Sequence, residues 1–262
     1  MVEVADSLIK ISAFNRLAGI VILAGGASKR MGTPKAELIL PTGERLLDYH
    51  VSQALELSAA IMSNISIMVA DNGRGFSINP DLIVKNPQVP IIHIADYLSI
   101  NNISGNELSS NELFINDNKK QIETGGALVA IESALQSLKS LVSSNQLIKD
   151  ANWQQSWLLV ISCDSLVPVT DLWQKLQPYM VQTADKSVIC LTDDQHLYPL
   201  LGLYRLNIEP NLKQYIDDGQ RQVMKFIQPM VKSVALPNHW KHLTNFNTPK
   251  EFELACTALN SL

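Results

Sequence analysis

The chain lacks the cysteine pairs that would mark a zinc finger or a disulfide scaffold. Its three cysteines, Cys163, Cys190 and Cys256, form no CxxC and no zinc-ligand spacing. Reduced thiols in or near a core are therefore expected, which suits a reducing, cytoplasmic compartment. No apolar run approaches the ~20 residues that a membrane-spanning helix needs. Residues 1–18 carry Glu3, Asp6, Lys10 and Arg16 without a sustained apolar centre, which argues against a signal peptide. Positive charge is not in excess either: 21 Lys and Arg against 25 Asp and Glu give a net charge of -4. That speaks against a protein that coats nucleic acid, though not against a local basic site for a polyphosphate. Two phosphate-binding patterns are missing as well. There is no GxxxxGK(S/T), which excludes the P-loop of ATPases and GTPases. There is no GxGxxG with an acidic residue about 20 positions on, which disfavours a dinucleotide Rossmann site.

What is present is an α/β pattern. The 262 residues are 46% hydrophobic and 18% charged, enough for one full core. Short apolar runs at 19–24 (GIVILA), 65–70 (ISIMVA) and 157–162 (WLLVIS) read as buried parallel strands. A third strand is expected in one of two runs between Leu82 and Asp96, LIV or IIHIA, which Pro87 and Pro90 separate. Segments 187–191 and 197–205 are strand-like. Helical spacing appears over 46–62, at Leu128, Ile131, Leu135 and Leu138, over 169–180, and at Ile208, Leu212, Tyr215 and Ile216, with Gly219 as a C-cap. Thr248-Pro249 can open a last helix. The Asn- and Ser-rich stretch at 97–118 has no periodicity and reads as an exposed insertion. Alternating strands and helices imply a mostly parallel sheet covered on both faces. Ligands in such sheets bind beyond the carboxyl ends of the strands, and Gly25-Gly26 and Asp164 both fall at such ends.

The loop Leu23 to Lys35 reads LAGGASKRMGTPK. Gly25 and Gly26 let the backbone approach a ligand without a Cβ in the way. Arg30 offers a fork of donors and Lys35 a compact charge, both suited to phosphates. The two glycines alone would better fit a plain strand-to-helix turn. Asp164, after the strand WLLVISC, is read on its own either as a helix cap or as a magnesium ligand.

The full loop, LAGGxSxRMGxxK after an N-terminal strand, resembles the signature of the nucleotidyltransferases of the glycosyltransferase-A-like type. That resemblance implies a three-layer α/β sandwich with a mostly parallel sheet, spanning 19–262 as a single domain behind an N-terminal extension at 1–18. It also implies that Asp164, in CDSLVP, holds Mg2+; the family's CDxPxxP-like motif has a proline where this chain has Leu166. The segments YPLLGLYRLNIEPNLKQYIDDGQRQVMKFI (198–227) and TNFNTPKEF (244–252) are similar to those of the molybdenum-cofactor guanylyltransferases.

By that resemblance the enzyme joins GMP from GTP to molybdopterin and releases pyrophosphate. Leu23, Ala24, Gly25 and Gly26 would hold base and phosphates, Arg30 and Lys35 the triphosphate, and Asp164 the metal. Asn245, Asn247 and Arg221 would face the pterin-bearing substrate; a surface residue paired with a helix carboxylate is an equal reading of Arg221. A second acidic nucleotide-site residue is expected at Asp96, with Asn86 as its competitor. Where the family has an Asn past the second strand this chain has Ala70, with Asn72 two residues on. GTP and molybdopterin are the implied partners, with other cofactor-biosynthesis proteins as further ones. A cytidylyltransferase for the same cofactor, a transferase for another small acceptor and an inactive nucleotide-binding paralogue are the alternatives. His239 and His242, three apart without a third ligand, read as surface histidines.

Overall fold

A computed structural model describes residues 17–26, 28, 30–62, 65–97, 125–144, 153–182 and 185–262. Almost all of the segment read as an insertion, most of the N-terminal extension, and Ala27 and Lys29 of the glycine-rich loop lie outside the described residues. Among those described, seven strands form one sheet in the order β3-β2-β1-β4-β6-β5-β7. The strands are β1 Leu17–Leu23, β2 Ser66–Ala70, β3 Ile91–Ile94, β4 Trp157–Ser162, β5 Val188–Thr192, β6 Leu197–Arg205 and β7 Val231–Ala235. β1 pairs in parallel with β2 and β4, β2 with β3, and β5 with β7, while β6 runs against both β4 and β5. The result is a mostly parallel sheet with one reversed strand.

The central strands are mostly apolar because both of their faces are covered. Ile20, Ile22, Leu159 and Ile161 point into one core, which includes Leu47, Val51 and Leu55 of helix Leu46–Ala60 and Leu172 and Leu176 of helix Val169–Leu176. Val21, Leu23, Leu158 and Val160 point into the other, with Leu128, Ile131 and Leu135 of helix Ala127–Ser144 and Leu212 and Ile216 of helix Glu209–Asp217. Two cores on opposite faces make a three-layer α/β sandwich.

The strand choice left open in the sequence is IIHI, as β3. The other run, LIV, belongs to helix Pro80–Lys85, in which Pro80 takes the first turn and the Asn79 side chain accepts from Asp81 N at 3.0 Å. Its Ile83 and Val84 are exposed, so apolar content alone misreads it. The helix expected at 169–180 is two, Val169–Leu176 and Tyr179–Gln182. Pro178 separates them, because it cannot donate to the helix ladder. Strand β7 and helix Val223–Ile227 are too short to leave a period in the sequence. Gly219 follows helix Glu209–Asp217 at φ 78°, in the left-handed conformation that glycine takes without cost. Among the described residues no helix is long and apolar enough to cross a membrane.

Helix Pro249–Leu259 starts with a full capping box: the Thr248 hydroxyl accepts from Glu251 N at 3.3 Å, and the Glu251 carboxylate accepts from Thr248 N at 3.0 Å. Thr248→Ala is expected to cost about 1 kcal/mol, a fall in Tm of roughly 2–4 °C. Thermal unfolding followed by circular dichroism checks this; an unchanged Tm would show that the cap contributes nothing.

Candidate functional site

β1 carries the chain to the sheet edge and stops at Leu23. Ala24 N still donates to Ala70 O at 2.9 Å, holding the start of the loop against β2. At Gly25 the loop presses on the turn after β2, where a Cβ would stand 2.9 Å from Asn72 Cβ. Glycine is needed there by close approach. A Cβ at Gly26, by contrast, would meet nothing within 4 Å. The space beside Gly26 is open to a ligand. The loop then folds back on itself, with Met31 N donating to Ser28 O at 3.0 Å and Lys35 N to Ser28 Oγ at 3.0 Å. Lys35 opens a short 3-10 turn, Lys35–Glu37, with its side chain directed inward.

β4 ends beside β1, and Cys163 N donates to Leu23 O at 3.1 Å. This brings Asp164 next to the loop. Its turn is pinned from three sides: Asp164 O accepts from Phe246 N at 3.0 Å, Leu166 N donates to Leu243 O at 2.7 Å, and the Tyr49 hydroxyl donates to Leu166 O at 3.3 Å. The Asp164 carboxylate stands 3.7 Å from Lys35 Nζ, which also donates to Asn247 Oδ1 at 2.9 Å and lies 5.8 Å from the Phe246 ring centre.

Two clefts meet at Asp164. The first, about 190 Å³, has an apolar floor that includes Leu23, Ala70, Ala130 and Leu200, with Gly25, Gly26, Asn72, Asp96 and Asp164 on its walls. The amino end of helix Ala127–Ser144 opens onto it through Gly126 and Ala127, and such an end favours negative charge. The second, about 240 Å³, lies on the other side of Asp164 between Leu197–Leu201, His196 and Asn245. It exists because β6 is reversed: the β5–β6 hairpin turns at Asp193–His196, so the first residues of β6 reach the ligand-binding edge. Asp193 locks that turn by accepting from Gln195 N and His196 N at 2.9 and 2.7 Å and from the Tyr198 hydroxyl. These bonds, the Tyr198 one foremost, hold its carboxyl down to about 2.

Of the residues expected from the sequence, Leu23, Gly25, Gly26, Asp96 and Asp164 line the first cleft, and Asn245 the second. Ala24 and Lys35 line a small pocket beside Asp164. Asp96 is favoured by position over Asn86, whose amide donates to Leu82 O at 2.9 Å at the end of helix Pro80–Lys85. Burial raises the Asp96 carboxyl above its ordinary range, against a lowering hydrogen bond from the Gly125 backbone, and the charge of Asp71 raises it further.

Two expected residues stand apart. Arg221 donates from one nitrogen to the carbonyls of Ile216 and Gln220, at 2.7 and 2.8 Å. It caps the end of helix Glu209–Asp217 and lines neither cleft, so its charge serves the carbonyl of Ile216 and that of the turn after the helix. Arg30 is exposed and acts electrostatically on Glu251; it also lines neither cleft. His239 and His242 are exposed, as expected.

Sequence reasoning missed Arg74, which donates to Gly26 O at 3.1 Å. Its turn is held by buried Asp71, which accepts from Gly73 N and Phe76 N at 3.1 and 3.0 Å and pairs with His93 at 3.2 Å. The signal was there: DNGRG after a buried strand puts an arginine one residue past the turn, at the ligand edge. Asn72 was also underrated, for it lines the cleft beside Ala70.

The donor set fits a hard divalent cation shared with a ligand. Among the described residues no group of three or more His, Cys, Asp or Glu could hold a metal unaided. Of the two carboxylates in the first cleft, Asp96 and Asp164, Asp164 also stands beside Lys35 and the second cleft, and a single carboxylate suits magnesium bound largely by phosphates and water.

Comparison with known proteins points to the same fold. Residues 20–85 match the family profile of the MobA-like NTP transferase domain. A protein of Rhodopirellula baltica described as a probable molybdenum cofactor guanylyltransferase is 23% identical over 232 residues, 88% of each chain. Among solved structures, molybdopterin-guanine dinucleotide biosynthesis protein A of Archaeoglobus fulgidus superposes with a TM-score of 0.57 at 14% identity, over 93% of this chain and 100% of that one. A Mycobacterium tuberculosis protein does so with a TM-score of 0.51 at 12% identity, over 94% and 100%. At such identities the structural likeness speaks for the fold.

Proposed function

We propose that this chain, a nucleotidyltransferase with a MobA-like NTP transferase domain, joins the GMP moiety of GTP to the terminal phosphate of molybdopterin and releases pyrophosphate. The observation that carries the reading is the position of Asp164, shared by two clefts and 3.7 Å from Lys35. A donor nucleotide and a phosphate-bearing acceptor in the two clefts would meet at that carboxylate.

In this reading the guanine and ribose lie over the apolar floor of the first cleft, near Asn72 and Asp96. The Gly25-Gly26 backbone and Lys35 grip the triphosphate. The acceptor occupies the second cleft, against Tyr198, Pro199 and Asn245. One acceptor phosphate oxygen attacks the α-phosphorus, the bond to the β-phosphate oxygen breaks, and pyrophosphate carries away the electron pair. Holding the reactants in line and neutralising charge are the protein's main tasks in such a transfer. Asp164, with the triphosphate oxygens, would hold Mg2+, which supplies neutralisation of the developing charge. Cys163, Cys190 and Cys256 are free and buried, in keeping with work in the cytoplasm.

Turnover with each of the four NTPs, molybdopterin as acceptor, with and without magnesium, tests the reading. GTP with magnesium is expected to exceed the others by at least about tenfold, the size of discrimination that one set of hydrogen bonds to a base supports. A preference for CTP would overturn guanine and leave the chemistry. No turnover with any NTP would make the chain a nucleotide-binding paralogue.

A further inference from the structure

Asn245 and Asn247 sit two residues apart and, by sequence, look like one substrate-binding pair. Their side chains touch, Asn247 Nδ2 donating to Asn245 Oδ1 at 3.2 Å, but their other surroundings differ. Asn245 lines the second cleft, with φ 55°, a left-handed conformation that asparagine tolerates better than most residues. Asn247 is among the lining residues of neither cleft. Its side chain is committed at both ends: Oδ1 accepts from Lys35 Nζ at 2.9 Å, and Nδ2 donates to Asn245 O at 2.9 Å. The opposite amide orientation would set Nδ2 against an ammonium, donor to donor, and Oδ1 against a carbonyl, so the contacts fix which way it faces.

An ammonium has three donors on a long flexible stem. Asn247 and Asp164 take two directions, and the Phe246 ring lies below the charge. What remains points away from the protein partners. A lysine held this way has lost its rotamer freedom before the nucleotide arrives, which tightens binding by preorganisation.

We propose that Asn247 is a positioning residue for Lys35 and so serves the nucleotide half of the site, while Asn245 serves the acceptor half. This rests on Lys35 gripping the triphosphate. The two residues are 212 positions apart; the bonds of Phe246 N to Asp164 O and of Leu166 N to Leu243 O hold the chain at the site just ahead of helix Pro249–Leu259. That helix is capped by Thr248 and Glu251, and Asn247 joins the cap only through its backbone N–H, which donates to Glu251 Oε2 at 2.7 Å. A change of the Asn247 side chain therefore spares the cap.

A double-mutant cycle on GTP binding, paired with steady-state kinetics for each substrate, tests this. Asn247→Ala is expected to weaken magnesium–GTP binding about tenfold and to leave the KM for molybdopterin within twofold. Asn245→Ala is expected to do the reverse. In a Lys35→Ala background, Asn247→Ala should weaken GTP binding no further. Asn247→Leu, close in size and without the acceptor, gives the same pattern should alanine open a gap that lowers Tm. A raised molybdopterin KM with unchanged GTP affinity in Asn247→Ala would overturn the proposal, and so would effects of Lys35→Ala and Asn247→Ala that simply multiply. If Lys35→Ala itself leaves GTP affinity unchanged, the grip assigned to Lys35 falls and the positioning role falls with it.

Discussion

Asp164→Asn is expected to lower magnesium-dependent transfer by on the order of 10³-fold, roughly 4 kcal/mol of transition-state stabilisation, with the fold intact. The substitution keeps the size of the side chain and removes its charge. Asparagine offers one neutral oxygen where a hard cation prefers a carboxylate. Little else changes, because the turn is fixed by backbone contacts that any residue at 164 retains: Phe246 N on the carbonyl of residue 164, and Leu166 N on Leu243 O. The ion pair to Lys35 is lost, but at 3.7 Å with partly exposed partners it stabilises by about 0.5 kcal/mol. In a domain of this size that moves Tm by less than about 2 °C. Rates at saturating GTP across a magnesium titration, with thermal unfolding alongside, give both readouts. Activity above about one-tenth of the wild type would remove Asp164 from the chemistry.

Lys35→Ala is expected to weaken GTP binding by roughly 10- to 100-fold, the range for losing one charged hydrogen bond in a partly buried site. Lys35 Nζ is the cation the structure sets between the glycine loop and Asp164. Its removal leaves the Asp164 carboxylate without its ion-pair partner and Asn247 Oδ1 without its donor, so the apo site becomes more negative just where a triphosphate must enter. Loss of affinity should therefore exceed loss of stability. Calorimetric titration of GTP into the two proteins measures it, and equal affinities would refute the assignment. Two arginines of this region are engaged elsewhere, Arg74 on Gly26 O and Arg30, exposed, with Glu251. Neither is positioned to replace Lys35 at Asp164.

How much of this was legible in the sequence depended on distance along the chain. WLLVIS gave β4 without error, because a buried strand bounded by turn residues is a local pattern. Thr248-Pro249 gave a helix start for the same reason, since a cap and a first-turn proline are adjacent residues. The span 169–180 keeps one helical period, yet Pro178 divides it into two helices. LIV at 82–84 carried no strand, since Asn79 and Pro80 start a helix there. Strand β7, an edge strand alternating Val231 and Lys232, Ser233 and Val234, was too short and too polar to register.

The make-up of the loop belongs to the sequence alone: two glycines, Arg30 and Lys35 follow β1 at a fixed spacing. So does the charge at the end of β4. What only the tertiary structure decided is which residues share that charge. The reversal of β6 gives Asp164 a second cleft, Asp96 and not Asn86 lines the first, Arg221 is drawn off to a helix end, and Asn247 is delivered to Lys35 across 212 residues. Turn chemistry and hydrophobic period act over a few residues, so a single sequence displays them. Strand order and crossover connections follow from burying both faces of one sheet at once, and they bring distant side chains together in ways no local pattern encodes.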